Sequence, residues 1–258
     1  MITRRRRTLF GGIVFFMKRL TFLFLLLICG QVHAQQYPRW FLFPAEVRCP
    51  TSISVITQPP TFYKDSAIAE GFRLGCEVLA RHAMMQISGG QAFWATEAGI
   101  HSMGAEYRQY YDTTLADVYR QTLKVLDSYI DKQKTLVLVG DSLCRVDGKV
   151  RLLIKISSIP QPTWVEQLPE DAQYIYAVGF SEEFYYETSS WQRAEKNAYM
   201  ALARSIQVKM KSMQKRDAIE AQDIRDEEID VVLSNIQVVE RWRDVKKKIF
   251  YVLMRMKK

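Results

Sequence analysis

The chain is poor in the residues that carry chemistry. It has 3 histidines and 4 cysteines in 258 residues. His82 and His101 stand 19 residues apart, with no second histidine at the spacing of a metal-binding helix or turn, so no metal site of ordinary pattern is expected. No C-x-x-C occurs and the cysteines form no dense framework, which excludes zinc ribbons and disulfide-stapled miniproteins. The apolar run from Leu20 to Cys29 is short of the roughly 20 residues that span a bilayer comfortably.

What is present begins with a leader. Met17-Lys18-Arg19 is basic, Leu20 to Cys29 is almost wholly apolar, and Val32-His33-Ala34 offers small residues before Gln35. That order is the pattern of a cleaved secretory signal, so residues 1–34 are expected to be a signal peptide, with translation starting at Met17. A twin-arginine signal in "TRRRRTLF" and a retained membrane anchor are the alternatives. Cleavage leaves 258 − 34 = 224 residues, enough for one large or two small domains. Six positive charges leave with the leader, so the net charge falls from +8 to +2 and the argument for a nucleic-acid partner goes with it. Cys49, Cys76 and Cys144 remain, and an exported chain can keep one disulfide among them, the pair left open by the sequence. Ile28 stands where a lipobox needs a small residue, so lipidation at Cys29 is not expected.

The second half sets the architecture. After Pro162-Thr163-Trp164 comes "YIYAVGF" (174–180), which reads as a short buried strand, then a helix predicted from about Ser189 to Lys215. Ala194, Ala198, Ala201, Ser205 and Val208 form one small-residue stripe on it, suited to close packing on a sheet, with Arg193, Lys196, Arg204 and Lys211 pointing away. Arg216 to Leu233 reads as a second, charged helix, and "IQVVERW" (236–242) with "KIFYVLMRM" (248–256) as a hairpin.

The first half repeats this order. Pro38-Arg39-Trp40 mirrors Pro162-Thr163-Trp164 at an offset of 124, and Ser52–Thr57 falls at the strand position. At an offset of 123, Gly71 and Gly75 replace Ala194 and Ala198, while Leu79-Ala80-Arg81 repeats Leu202-Ala203-Arg204. The half closes on "TLVLVGDSLCRV" (135–146), Asp147-Gly148 and "KVRLLIKIS" (149–157), predicted to be a hairpin about a two-residue turn. The expectation is an α+β fold of two related modules, 35–157 and 162–258, each a small antiparallel sheet packed by a long helix, joined at Ser158–Gln161. An insertion, Gly89 to Gln133, interrupts the first module: a glycine- and aromatic-rich irregular part, then a helix predicted from Asp112 through Ile130. Phe93, Trp94, Tyr107, Tyr110 and Tyr111 are candidate partner contacts there, with capping of the domain core as the plainer alternative.

Each remaining motif has a plain reading beside the functional one. Gly140-Asp141-Ser142-Leu143 resembles the motif of the GDSL esterases, but no histidine follows His101, and a serine nucleophile needs a base within hydrogen-bond reach. Asp223, Asp226, Glu227 and Asp230 would share one helical face that could hold calcium, or simply be solvated. Arg193, Lys196, Arg204, Lys211 and Lys215 could meet an anionic membrane surface, or again be a wet face. His82 takes the place of Ser205 on the small stripe and is expected to be packed.

The second half, with Pro-x-Trp, "YIYAVGFSE", the alanine-rich helix and "VVERWRD…FYVLMRM", resembles the Lpp-twenty type of bacterial surface lipoprotein and the related flagellar outer-membrane assembly proteins. The resemblance covers residues 162–256 and implies a small α+β envelope domain without known catalysis, cofactor or metal. The sequence thus predicts a non-enzymatic exported protein, in the periplasm or at the outer membrane, that binds or assembles with an envelope protein or its own copies. A periplasmic small-ligand binder lined by the aromatics of residues 93–111 and an ester hydrolase using Ser142 are the rival readings.

Overall fold

The computed structural model describes residues 35–49, 51–60, 62–96, 99–214 and 227–258, of which 91–106, 209–214 and 227–228 are described by backbone alone. The predicted signal peptide lies outside the described residues. In chain order the elements are β1 (Gln36–Pro38), a helical turn at Arg39–Leu42, β2 (Ile53–Thr57), helix α1 (Lys64–Ala83), β3 (Met84–Thr96), β4 (Gly99–Tyr111), α2 (Thr113–Thr122), β5 (Leu123–Ile130), β6 (Thr135–Asp141), β7 (Leu153–Lys155), β8 (Tyr174–Glu182), α3 (Glu187–Gln214), β9 (Glu227–Ser234), β10 (Ile236–Asp244) and β11 (Ile249–Lys257). The sheets are β1-β7, β2-β6-β5, β8-β11-β10 and β4-β3-β9, and every pairing is antiparallel. This is the α+β arrangement of small antiparallel sheets that the sequence predicts.

The central strand of the first half reads "TLVLVGD" without polar alternation because both its faces are covered. Val137 and Val139 pack under α1, while Leu136 and Leu138 enter a larger core on the other side. In the second half β11 divides likewise: Phe250, Val252 and Met254 lie in that larger core, and Leu253 and Tyr251 meet Trp164 and Trp242.

The two halves share their connectivity. A first strand (β2 or β8) leads into the long helix, and a later hairpin (β5-β6 or β10-β11) places its last strand in the middle, giving the order first, third, second in both sheets. Details agree as well. Register shifts fall between Val125 and Asp127 in β5 and between Val238 and Glu240 in β10, each 113 residues from its counterpart. The Asp131 carboxylate accepts from the amides of Gln133 and Lys134, and that of Asp244 from Lys246 and Lys247, so the two hairpin turns close in the same way.

Helix and sheet approach closely in both halves, by opposite means. In the first half the helix supplies the glycines: a Cβ on Gly71 would lie 2.4 Å from Val137 Cγ2, and one on Gly75 2.6 Å from Val139 Cγ2. In the second half the strand supplies it: a Cβ on Gly179 would lie 2.1 Å from Ala194 O and from Ala198 N.

Gln36–Lys258 form one compact unit. Its main core draws Tyr37, Trp40, Phe41, Leu136 and Leu138 from the first half together with Trp191, Leu202, Phe250 and Val252 from the second. The third of the three-stranded sheets joins β3 and β4 to β9 across the midpoint of the chain.

Four expectations are corrected. The helix predicted from Asp112 through Ile130 stops at Thr122, and Leu123–Ile130 is β5, because β6 would otherwise leave one ladder edge unpaired. Asp147-Gly148 is not a hairpin turn: β6 ends at Asp141, Gly148–Arg151 is a 3-10 turn, and Leu153–Lys155 pairs with β1. Glu227–Ser234 is a strand, with Ile229, Val231 and Leu233 buried on alternate residues, while Arg216, Ile219 and Ile224 of the predicted charged helix lie outside the described residues. The irregular part of the insertion is a long β3-β4 hairpin with Gly89 and Gly90 inside β3.

Candidate functional site

The most concentrated chemistry lies buried where the halves meet. Arg241, on β10, is 1% exposed. Its Nη1 donates to Phe41 O and Ser54 Oγ, both at 2.7 Å, and its Nη2 to Ser54 O at 2.9 Å and Glu195 Oε1 at 2.7 Å. The guanidinium also lies over the Phe41 ring, 4.4 Å from its centroid. One side chain therefore ties β10, β2, α3 and the Arg39–Leu42 turn together, the planar fork suiting several acceptors at once.

A second cluster surrounds the first turn of α3. Tyr37 Oη donates to Glu187 Oε1 at 2.5 Å, and Lys134 Nζ lies 3.5 Å from the same oxygen and 3.1 Å from Asp131 Oδ2. Burial first, and then the Glu187 carboxylate, holds the Tyr37 hydroxyl well above its ordinary pKa, so it stays protonated and donating. Arg243 is paired with Glu183 and stacks on Phe250. Tyr37, Lys134 and Glu187 are enclosed and bonded to one another, which suits a structural junction, while Arg243 keeps its Nε and Nη1 buried without a hydrogen-bond partner.

His82 shares a hydrogen bond of 2.7 Å with Tyr199 Oη. Burial, then the positive charges of Arg81 and Arg241, lowers its pKa to about 3, so the imidazole is neutral. It is packed, as expected, and engaged by Tyr199. Ser142, at the end of β6, sits in a turn where the Asp141 carboxylate accepts from Leu143 N. Among the described residues no group of three or more His, Cys, Asp or Glu could hold a metal. The proposed carboxylate face dissolves: Glu227 and Asp230 are on a strand, Asp230 accepts from Gln86, and Asp223 and Asp226 lie outside the described residues.

The candidate partner contacts divide. Tyr107 and Tyr111 share one face of β4 and are each covered by an arginine of the repeated Leu-Ala-Arg: Arg204 donates to Tyr107 Oη at 3.2 Å, and Arg81 lies 5.6 Å from the Tyr111 centroid. The repeated arginines thus converge on a single strand. Tyr110 is on the opposite face and exposed. Phe93 and Trp94 stand opposite Ser102 and His101 toward the far end of the hairpin, about 17 Å along the strand from Tyr107. Their side chains are outside the description. A pocket of about 280 Å³ between α1 and α3 is lined by Arg81, Gln109, Glu195 and Tyr199 among others, and not by Tyr107, Tyr110 or Tyr111.

Sequence reading missed Arg241, Lys134 and the exposed loop aromatics Phe62, Tyr63, Tyr185 and Tyr186. The last four were open to it, since Phe62-Tyr63 and Tyr185-Tyr186 stand at the same offset of 123 as Leu-Ala-Arg. Cys49 and Cys144 form a disulfide with their Cα atoms 5.5 Å apart, and Cys76 is free and buried.

Residues 162–257 match the family model of the LPP20 lipoproteins. No curated protein and no solved structure matches the chain. The matched segment runs from the Trp164 turn to the end of β11, so it takes in the whole second half-sheet and its helix.

Proposed function

We propose that this protein is an exported, non-catalytic component of the bacterial envelope, with a binding or assembly role, built from two copies of one α+β module. The observation that carries the reading is the match of residues 162–257 to the LPP20 lipoproteins, not a known enzyme family. The Cys49–Cys144 disulfide supports an oxidising compartment. The shared strand order, the paired register shifts and the matching hairpin turns support duplication. Lipidation is not part of the reading, because Ile28 precedes Cys29.

Fractionation of cells producing a C-terminally tagged protein tests this. The tag is expected in the periplasmic or membrane fractions on a chain shortened by about 2 kDa, the mass of the leader from Met17 to Ala34. A full-length chain in the cytosol would overturn it.

A further inference from the structure

The exposed aromatics of the two strand-to-helix loops gather at one end of the unit. β2 ends at Thr57, opposite Thr135, so the loop to α1 with Phe62 and Tyr63 lies beside the hairpin turn at residues 131–134. β8 ends at Glu182, opposite Ile249, so the loop to α3 with Phe184, Tyr185 and Tyr186 lies beside the turn at residues 245–248. Thr188 Oγ1 donates to Thr57 O, and Lys134 pairs with Glu187, which brings the two ends together. A hollow of about 510 Å³ runs between them, lined by Pro59, Phe62, Tyr63, Thr188 and Gln192 among others.

Both strand-to-helix loops therefore finish in projecting rings at equivalent positions, Phe62 being 88% and Tyr185 94% exposed. Rings so placed add nothing to either core. Behind them Asp131 and Glu187 bond back into the fold, Glu183 pairs with Arg243 and, at 3.2 Å, with Lys248, and Asp244 lies 4.0 Å from Lys247; Lys247 and Lys248 still stay 69% exposed, with Lys246 exposed beside them. Lys132 and Lys64 add to this fringe, against the exposed acids Asp65 and Glu182. β1 also begins at this end, since Tyr37 bonds Glu187.

We infer that this end docks on an anionic lipid surface, the aromatic loops entering the headgroup layer and the lysine turn meeting the phosphates. Phenylalanine and tyrosine, fringed by lysine, make up the composition of segments that settle at a bilayer interface. A second copy fits less well, because a two-fold contact centred on this end would bring the two lysine turns close together, like charge near like charge. The surface is distinct from the basic face of α3, and the inference rests on the envelope reading above.

The test uses residues 35–258, which span the compact unit, and vesicles of phosphatidylethanolamine with phosphatidylglycerol at about 3:1, read by co-sedimentation. Binding is expected, weakened by salt and by removal of phosphatidylglycerol. F62S/Y185S is expected to lose about tenfold or more in affinity, and K246Q/K247Q to lose several-fold together with most of the salt dependence. Both variants change exposed side chains and should keep the unfolding midpoint. Failure to bind vesicles, or binding unchanged in both variants, overturns the inference. A dimer seen by sedimentation velocity and abolished by F62S/Y185S, without vesicle binding, assigns the surface to a second copy instead. An envelope-fractionating chain that ignores vesicles defeats this inference alone, and a cytosolic chain defeats the envelope reading.

Discussion

Arg241 illustrates what a single residue contributes and why the sequence conceals it. In "VVERWRD" it stands between Glu240 and Trp242 and looks like an ordinary strand arginine, yet it is enclosed and bonded to three separate elements. Its partners are remote in sequence, up to 200 residues away, so no local pattern announces them. Arg241→Ala is expected to lower the unfolding free energy by about 3–5 kcal/mol, since it strands buried acceptors and Glu195. Glu195→Gln should cost only about 1–2 kcal/mol, because three acceptors still hold the guanidinium; equal losses in urea titrations would contradict the network. His82 was legible as a packed residue from its place on the small stripe, but its pairing with Tyr199 was not. In the unfolded chain its imidazole titrates near 6.5 and in the fold near 3, with burial as the main cause. Between those values the unfolded chain binds more protons, so stability is lost as pH falls below the unfolded pKa. At about pH 4 the loss is on the order of 3 kcal/mol. His82→Gln, which keeps a hydrogen-bonding group for Tyr199 without titrating there, should flatten the dependence; urea midpoints at neutral and acidic pH, with parallel slopes for both proteins, would count against it.

At the scale of elements, the periodicity found both long helices and the final hairpin and misread two strands, β5 and β9, as helix. The error in β9 was one of period: Ile229 and Val232 fit a helical spacing, while Ile229, Val231 and Leu233 alternate, and pairing with β3 decided for the strand. The error in β5 came from a segment that suits either state, settled by the open edge of β6. The register shifts at equivalent places in β5 and β10 lay beyond any reading of the letters, because a bulge is visible only once partners are known. Close packing was foreseen on the helices as a stripe of small residues, but not that the second half moves the glycine to the strand. The two glycine sites should therefore respond differently to alanine. At Gly179 the new methyl meets helix backbone, which cannot rotate away, and Gly179→Ala is expected to cost about 3 kcal/mol or more. At Gly71 it meets a valine side chain, and the helix propensity gained, about 1 kcal/mol, offsets part of the strain, leaving about 1 kcal/mol lost. Thermal or urea unfolding of the two variants decides, and a costlier Gly71→Ala would refute the packing argument.

For the whole molecule, the halves are alike in plan and joined in substance. Trp191 of the second half, packed on Phe250, lies against Tyr37 and Phe41 of the first, so the segment matched by the LPP20 family does not enclose its core alone in this chain. Residues 159–258 produced alone are expected to lack a sharp unfolding transition and to bind a hydrophobic dye; a cooperative, dye-silent fragment would show two independent domains. The Cys49–Cys144 bond closes 95 residues of sequence, a loop for which the chain-entropy account gives about 4–5 kcal/mol of stability. That bond also bears on where the protein works, since a cytosolic chain would not keep it. The claim of export is tested most directly by trapping the thiols in intact cells with an alkylating reagent before and after reduction. The account predicts one free thiol, Cys76, on the mature chain, reached by the reagent only after denaturation, and two more released by reductant. Cys49 and Cys144 alkylated without reductant would contradict it.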